Sequence, residues 1–234
     1  MKKSLIIATI MASMLSTSCS RTAQRAEADD DFNYHVERFA DIEVLRYKVP
    51  DFDSLSLNQK ILVYYLTEAA LWGRDILWDQ NNADNLAMRD LLEAVYTNYD
   101  GDRESADYKA FDTYMKQVWF GNGIHHHYST DKFVPAFSRD FLESRIAALP
   151  EGAAPANTEA LVELIFNPAL AAKRVNQTEG ADLIATSANN LYEAGLTQSE
   201  VEAYYNGIKK PGDLTPVSYG LNTRLRKVDG KIVE

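Results

Sequence analysis

The chain has 234 residues, enough for one sizeable domain, and its 46% hydrophobic and 11% aromatic content supplies a packed core, which excludes an unfolded polar chain. Thirty-four acidic residues against twenty-four basic ones give a formal net charge of -10 with no long basic run. That balance argues against nucleic acid and against an anionic membrane surface as partners.

The chain opens with "MKKSLIIATIMASMLSTSC": two lysines, an apolar stretch over 5–15, then small residues before Cys19. This is the layout of a secretory signal, too short for a comfortable membrane span. Cys19 is the only cysteine, so no internal disulfide is available, and it sits where an exported lipoprotein carries its lipidated thiol. Residues 1–19 therefore read as a signal peptide of the lipoprotein type, and the expected location is periplasmic or membrane-anchored through the lipid. Residues 20–31, "SRTAQRAEADDD", are polar and aperiodic and read as a flexible tether. The folded body is expected over 32–234.

Segment 36–52 mixes β-branched and aromatic residues before Pro50 and predicts an extended lead-in with a short strand. A capping box, Ser56 with Gln59, then opens a helix expected to run to Trp78, with Leu62, Leu66, Ala69 or Ala70, Gly73, Ile76 and Leu77 forming a core-facing stripe. A second helix is predicted over 83–99 with Leu86, Leu91, Leu92, Val95 and Tyr99 on its apolar face. A third, over 105–119, places Tyr108, Phe111, Met115 and Val118 on one side. Residues 120–135 break the pattern as a loop or short strand. Helices resume over 138–149 and, capped by Thr158, as far as Phe166, where Asn167 and Pro168 stop the pattern. Two more are predicted over 183–193 and 199–208, the latter opened by the Thr197 and Glu200 capping pair. The end of the chain reads as strand material turning back at Asp229-Gly230, the signal for a type I′ hairpin. With four residues after that turn, the second strand is short, and the expectation is that the natural chain continues or that another element completes the sheet. The fold class is α+β, mostly helical, with a few short strands and this hairpin.

Three of the four histidines are adjacent, in "GNGIHHHYSTDKFVP". Neighbouring side chains point to opposite faces of a strand, so only His125 and His127 could converge, and a zinc site would need further ligands. The favoured reading is one or two packed or hydrogen-bonded rings and no metal ligand. No zinc-peptidase helix, nucleophile elbow, phosphate loop or dinucleotide fingerprint is present in the sequence, so no catalytic residue is assigned.

The runs "WFGNGIHHHYSTDKFVP" and "TPVSYGLNTRLRKVDGKI", with "LVYYLTEAALWGRDILWDQ", "LLEAVYTNY" and "KRVNQTEGADLIATSANNLYEAG" beside them, closely resemble the N-terminal part of the dipeptidyl peptidase III family, in particular its Bacteroides-type members. The resemblance covers 31–234. It implies a zinc metallopeptidase that releases dipeptides from peptide N-termini, built from two lobes, with this chain in the lower one. The family's zinc-binding His-Glu-x-x-Gly-His helix and downstream glutamate would lie beyond the matched region and are absent here. The chain is thus expected to be catalytically silent alone and to need a missing upper lobe, with zinc a cofactor of the longer enzyme only. The resemblance places the loop around Tyr128 on the wall of the peptide cleft, as a substrate-binding aromatic or, equally, as a residue packed in the lobe. Asn122, His127 and Lys132 are the neighbouring polar candidates. A stand-alone lipoprotein that binds peptides without cleaving them is the alternative.

Overall fold

A computed structural model of the chain describes residues 32–216 and 223–234. The signal segment, the lipidation candidate Cys19, the tether and residues 217–222 lie outside them. The described residues form two compact units, 32–37 with 44–48, and 38–43 with the remainder.

In the smaller unit aromatic and cationic side chains interleave on an extended backbone. Phe32 and Tyr34 meet edge to face at 4.6 Å, while the Arg46 guanidinium and the Lys48 ammonium lie 5.0 and 5.1 Å from the Phe32 ring. The strands of this region are β1 (His35–Phe39) and β2 (Ile42–Leu45), a two-stranded sheet that gives the expected strand a partner.

The larger unit is helical. Its elements are α1 (Leu57–Trp72), α2 (Arg74–Asn81), α3 (Asn85–Thr97), α4 (Ala106–Gly121), α5 (Arg139–Ala147), α6 (Thr158–Phe166) and α7 (Gln198–Ile208). Ser56, Ser105, Ser138 and Thr197 each accept the backbone N–H three residues on, and the predicted boxes with Gln59 and Glu200 both form. Asn157 rather than Thr158 takes the cap position of α6; the Thr158 hydroxyl donates to the Pro155 carbonyl.

Periodic apolar residues of α3 (Met88, Leu91, Leu92, Val95), α4 (Phe111, Tyr114, Met115, Val118) and α6 (Leu161, Val162, Leu164, Ile165) bury their stripes together, with Ile124, Phe133, Phe137 and Leu142 completing the core. A smaller cluster of Leu196, Val201 and Leu225 packs with Tyr192, Tyr204 and Ile232. The C-terminal hairpin, β3 (Arg226–Val228) and β4 (Lys231–Val233), pairs Val228 with Lys231 around Asp229 and Gly230, both at positive φ, as a type I′ turn requires. A parallel bridge from Tyr192 to Leu225 joins this ribbon to the smaller cluster.

Two further expectations fail. The helix opened by Ser56 is not one rod to Trp78: it breaks at Gly73, and of α1 and α2 only Trp78 is buried. Apolar residues occupy every side of α1, so their spacing selects no face, and the stripe assigned to the core lies on the surface. Segment 183–193 is not a helix. Asp182 accepts the N–H groups of Ile184 and Ala185 to make a single turn, after which Asn189 and Asn190 give their N–H groups to Arg174 and Gln80 carbonyls. Asp, Ser and Asn side chains compete with helical bonding, and distant acceptors win here. Among the described residues no helix is long and apolar enough to cross a membrane.

Candidate functional site

The histidine loop begins where α4 ends. Asn122, in the left-handed conformation at φ 50°, terminates the helix, and the Gly123 N–H returns to the Val118 carbonyl at 3.0 Å. Gly123 has φ 139°, and a Cβ there would lie 2.1 Å from the Asn85 amide nitrogen, so glycine is required both for conformation and for space. Buried Asn85 ties this corner together: its amide donates to the Trp78 carbonyl and its oxygen accepts from Ile124 N–H.

From there the three histidines part company. His125 is 2% exposed and its Nε2 lies 2.7 Å from the Ala171 carbonyl, leaving Nδ1 without a partner among the described residues. Burial pushes its pKa down to about 4, against the smaller upward effect of the Ala171 bond, so the ring is a neutral, packed donor. His126 accepts the Tyr128 and Ser129 N–H groups on Nδ1, which places its proton on Nε2, 3.1 Å from Asp41. His127 stands against Phe120 edge to face, its pKa lowered by burial and then by His126. Buried His125 and exposed His127 do not converge, and among the described residues no group of three or more His, Cys, Asp or Glu is placed to hold a metal.

The loop returns on itself through His126 N–H to Asp131 and Phe133 N–H to Ile124, then pairs with a segment over forty residues downstream. Lys132 N–H bonds to Ala172, Arg174 N–H to Thr130, and the Thr130 hydroxyl to Val175. The Arg174 guanidinium bridges Asn81 and the His127 carbonyl, and Lys173 pairs with Asp131 at 3.0 Å. Lys132 turns inward: its ammonium donates to the carbonyls of Leu164, Asn167 and Leu170 at 2.9, 2.5 and 2.6 Å, closing the C-terminus of α6. Burial lowers its pKa.

The tip is Tyr128, 86% exposed, on the rim of a groove of about 480 Å³ whose other lining is Ser129, Thr130, Lys173, Val175, Gln177 and Thr178. Its exposure removes the possibility that it packs within the lobe. Of the four candidates, only Tyr128 lines this groove. Asn122 terminates a helix, and its carbonyl accepts from Asn81. Lys132 has all three ammonium donors on carbonyls. His127 is exposed beside Tyr128 in sequence but outside the groove. Sequence reasoning missed Lys173, Gln177 and Thr178, because their approach is made through backbone pairing that carries no residue-type signature. No protein-family model matches the chain, and no curated protein does either.

Proposed function

We propose that this chain is the N-terminal, lower-lobe portion of an exported dipeptidyl peptidase III-like zinc exopeptidase, and that its own task is to present one wall of a peptide-binding cleft. The observation that carries this reading is the exposed Tyr128 ring, held at the rim of a polar groove by a loop fixed through its backbone. An exposed aromatic on a rigid loop gives a peptide side chain an apolar face and gives its main chain a hydroxyl partner. Gln177, Thr178 and the Lys173 ammonium add amide, hydroxyl and cationic donors for peptide carbonyls.

Among the described residues the histidines diverge and no group of three or more His, Cys, Asp or Glu is placed to hold zinc. No chemical step is therefore assigned to it here. In the longer enzyme the ion and the proton-transferring carboxylate belong to the missing upper lobe, and the export signal with Cys19 delivers and anchors the whole.

The test is titration of the purified chain with a short unblocked peptide, followed by tyrosine fluorescence or chemical-shift change. Binding weakened about tenfold by Tyr128→Ala, with no dipeptide release, supports the reading. Binding indifferent to Tyr128 refutes the cleft-wall role, and chelator-sensitive release of dipeptides refutes the assignment of the ion to another lobe.

A further inference from the structure

The tip that carries Tyr128 is folded around one imidazole. The His126 Nδ1 accepts the N–H groups of Tyr128 and Ser129 at 3.1 and 3.0 Å, while its Nε2 lies 3.1 Å from an Asp41 carboxylate oxygen. The two ends of the ring ask for opposite protonation states. The carboxylate favours a positive ring, whereas the two amides need a lone pair on Nδ1 and therefore a neutral one.

Uptake of a proton puts an N–H on both ring nitrogens. Nδ1 then meets the Tyr128 and Ser129 amides as a donor facing two donors, and both bonds are lost. The ring itself stays, because its bond to Asp41 becomes an ion pair. The base of the loop does not depend on the ring nitrogens. His126 N–H on Asp131, Thr130 N–H on the His126 carbonyl, Phe133 N–H on Ile124 and Arg174 N–H on Thr130 are bonds between backbone groups. The change is thus confined to Tyr128 and Ser129. We propose that His126 is a proton switch for the Tyr128 tip: the neutral ring holds the tip closed, and the imidazolium releases it, so that peptide is retained near neutral pH and let go in acid. The consequence for peptide rests on the cleft-wall reading; the switch itself does not.

Ionisable groups of both signs surround the ring. Asp41 and Asp131 favour its charged form, and Lys173 already pairs with Asp131 at 3.0 Å. The His127 ring, 4.5 Å away, and the Arg174 guanidinium on the His127 carbonyl oppose it. Buried His125, bonded to Ala171 and with its pKa pushed down to about 4, stays neutral through mild acid. The His126 side chain is 18% exposed, so protons reach it from solvent.

Nuclear magnetic resonance of the purified chain between about pH 8 and about pH 5 tests the switch. The Tyr128 and Ser129 amides are expected to shift with the midpoint of the His126 ring and to lose heteronuclear NOE, while the Ile124 and Phe133 amides hold. In His126→Asn a carboxamide oxygen stands where Nδ1 stood and takes no proton, so the tip should remain closed throughout. Asp41→Asn should move the midpoint to lower pH, since it cannot neutralise the imidazolium. The transition should persist in His127→Gln, which removes the neighbouring titrating ring. Trialanine supplies the ligand arm. Its affinity for the wild type relative to His126→Asn, a ratio in which the peptide's own ionisation cancels, should fall about tenfold across the range. Amides that ignore the ring midpoint overturn the proposal, as do a His126→Asn tip that opens like the wild type, an Asp41→Asn midpoint left in place, or a transition abolished by His127→Gln. The amide measurement needs no ligand, so it upholds or overturns the switch even if trialanine binds neither form, a result that would sink the cleft-wall reading alone.

Discussion

The Lys132 ammonium donates to the Asn167 carbonyl at 2.5 Å, and with two further bonds to Leu164 and Leu170 it closes the end of α6 from a loop more than thirty residues upstream. A cation at a helix C-terminus satisfies carbonyls that the helix leaves open and complements its dipole.

Lys132→Met keeps the apolar stem and removes the three donors. The loss is expected to be about 2 kcal/mol, read as a lower urea midpoint at unchanged slope. A midpoint unaltered by the substitution would show that water replaces the ammonium without penalty.

Gly123 separates steric from conformational effects. Gly123→Ala must displace the Asn85 amide that holds Trp78 and Ile124, and should destabilise by about 3 kcal/mol or more. Gly180, at φ 80° with nothing within 4 Å of an added methyl, is the comparison: alanine there should lose only about 1 kcal/mol, for conformation alone. Thermal unfolding of the two variants side by side measures the difference.

His125 gives the chain an acid-sensitive component. Its folded-state pKa of about 4 lies below the ordinary 6.5, so the unfolded chain takes up a proton first as pH falls. The stability it contributes is complete above about pH 6.5 and is lost between there and about pH 4, a change of roughly 3 kcal/mol. Replacing it by glutamine, which can still donate to Ala171, should flatten the stability curve across that window. A curve equally steep after the replacement would assign the acid lability to other groups.

Tyr128, by contrast, should be dispensable for folding. Because its ring is exposed, Tyr128→Ala is expected to shift stability by no more than about 0.5 kcal/mol. A larger loss in denaturant unfolding would mean that the ring supports its loop.

Helices α3 and α4 were legible because their apolar residues recur at three and four positions while polar ones fill the remaining faces, so one spacing defines both element and buried side; α6 was bounded by its polar start and the Asn167-Pro168 stop. Ser56 and Thr197 mark helix starts with equal clarity, and Asp229-Gly230 marks the hairpin. On α1 the same reasoning misplaces the buried side, since a sequence apolar all round contains no preferred direction. The 183–193 segment has helical spacing, but Asn189 and Asn190 find acceptors on Arg174 and Gln80, a competition visible only in three dimensions. At the candidate site, Tyr128 and Lys132 were both named from the resemblance and its neighbourhood; the structure leaves Tyr128 exposed, whereas Lys132, four residues on, points inward to carbonyls. Nothing in residue type distinguishes those two directions.

Beside its backbone pairs, the Tyr128 loop has four anchors of one kind: Lys132, His125, Thr130 and Arg174 donate from side chains, and their acceptors include the main-chain carbonyls of Leu164, Ala171, Val175 and His127. Any amino acid supplies such an oxygen. Sequence drift at the accepting positions therefore leaves these four bonds in place, while drift at the donating ones removes them, and tolerance to mutation around this loop is divided between the two sides of each bond.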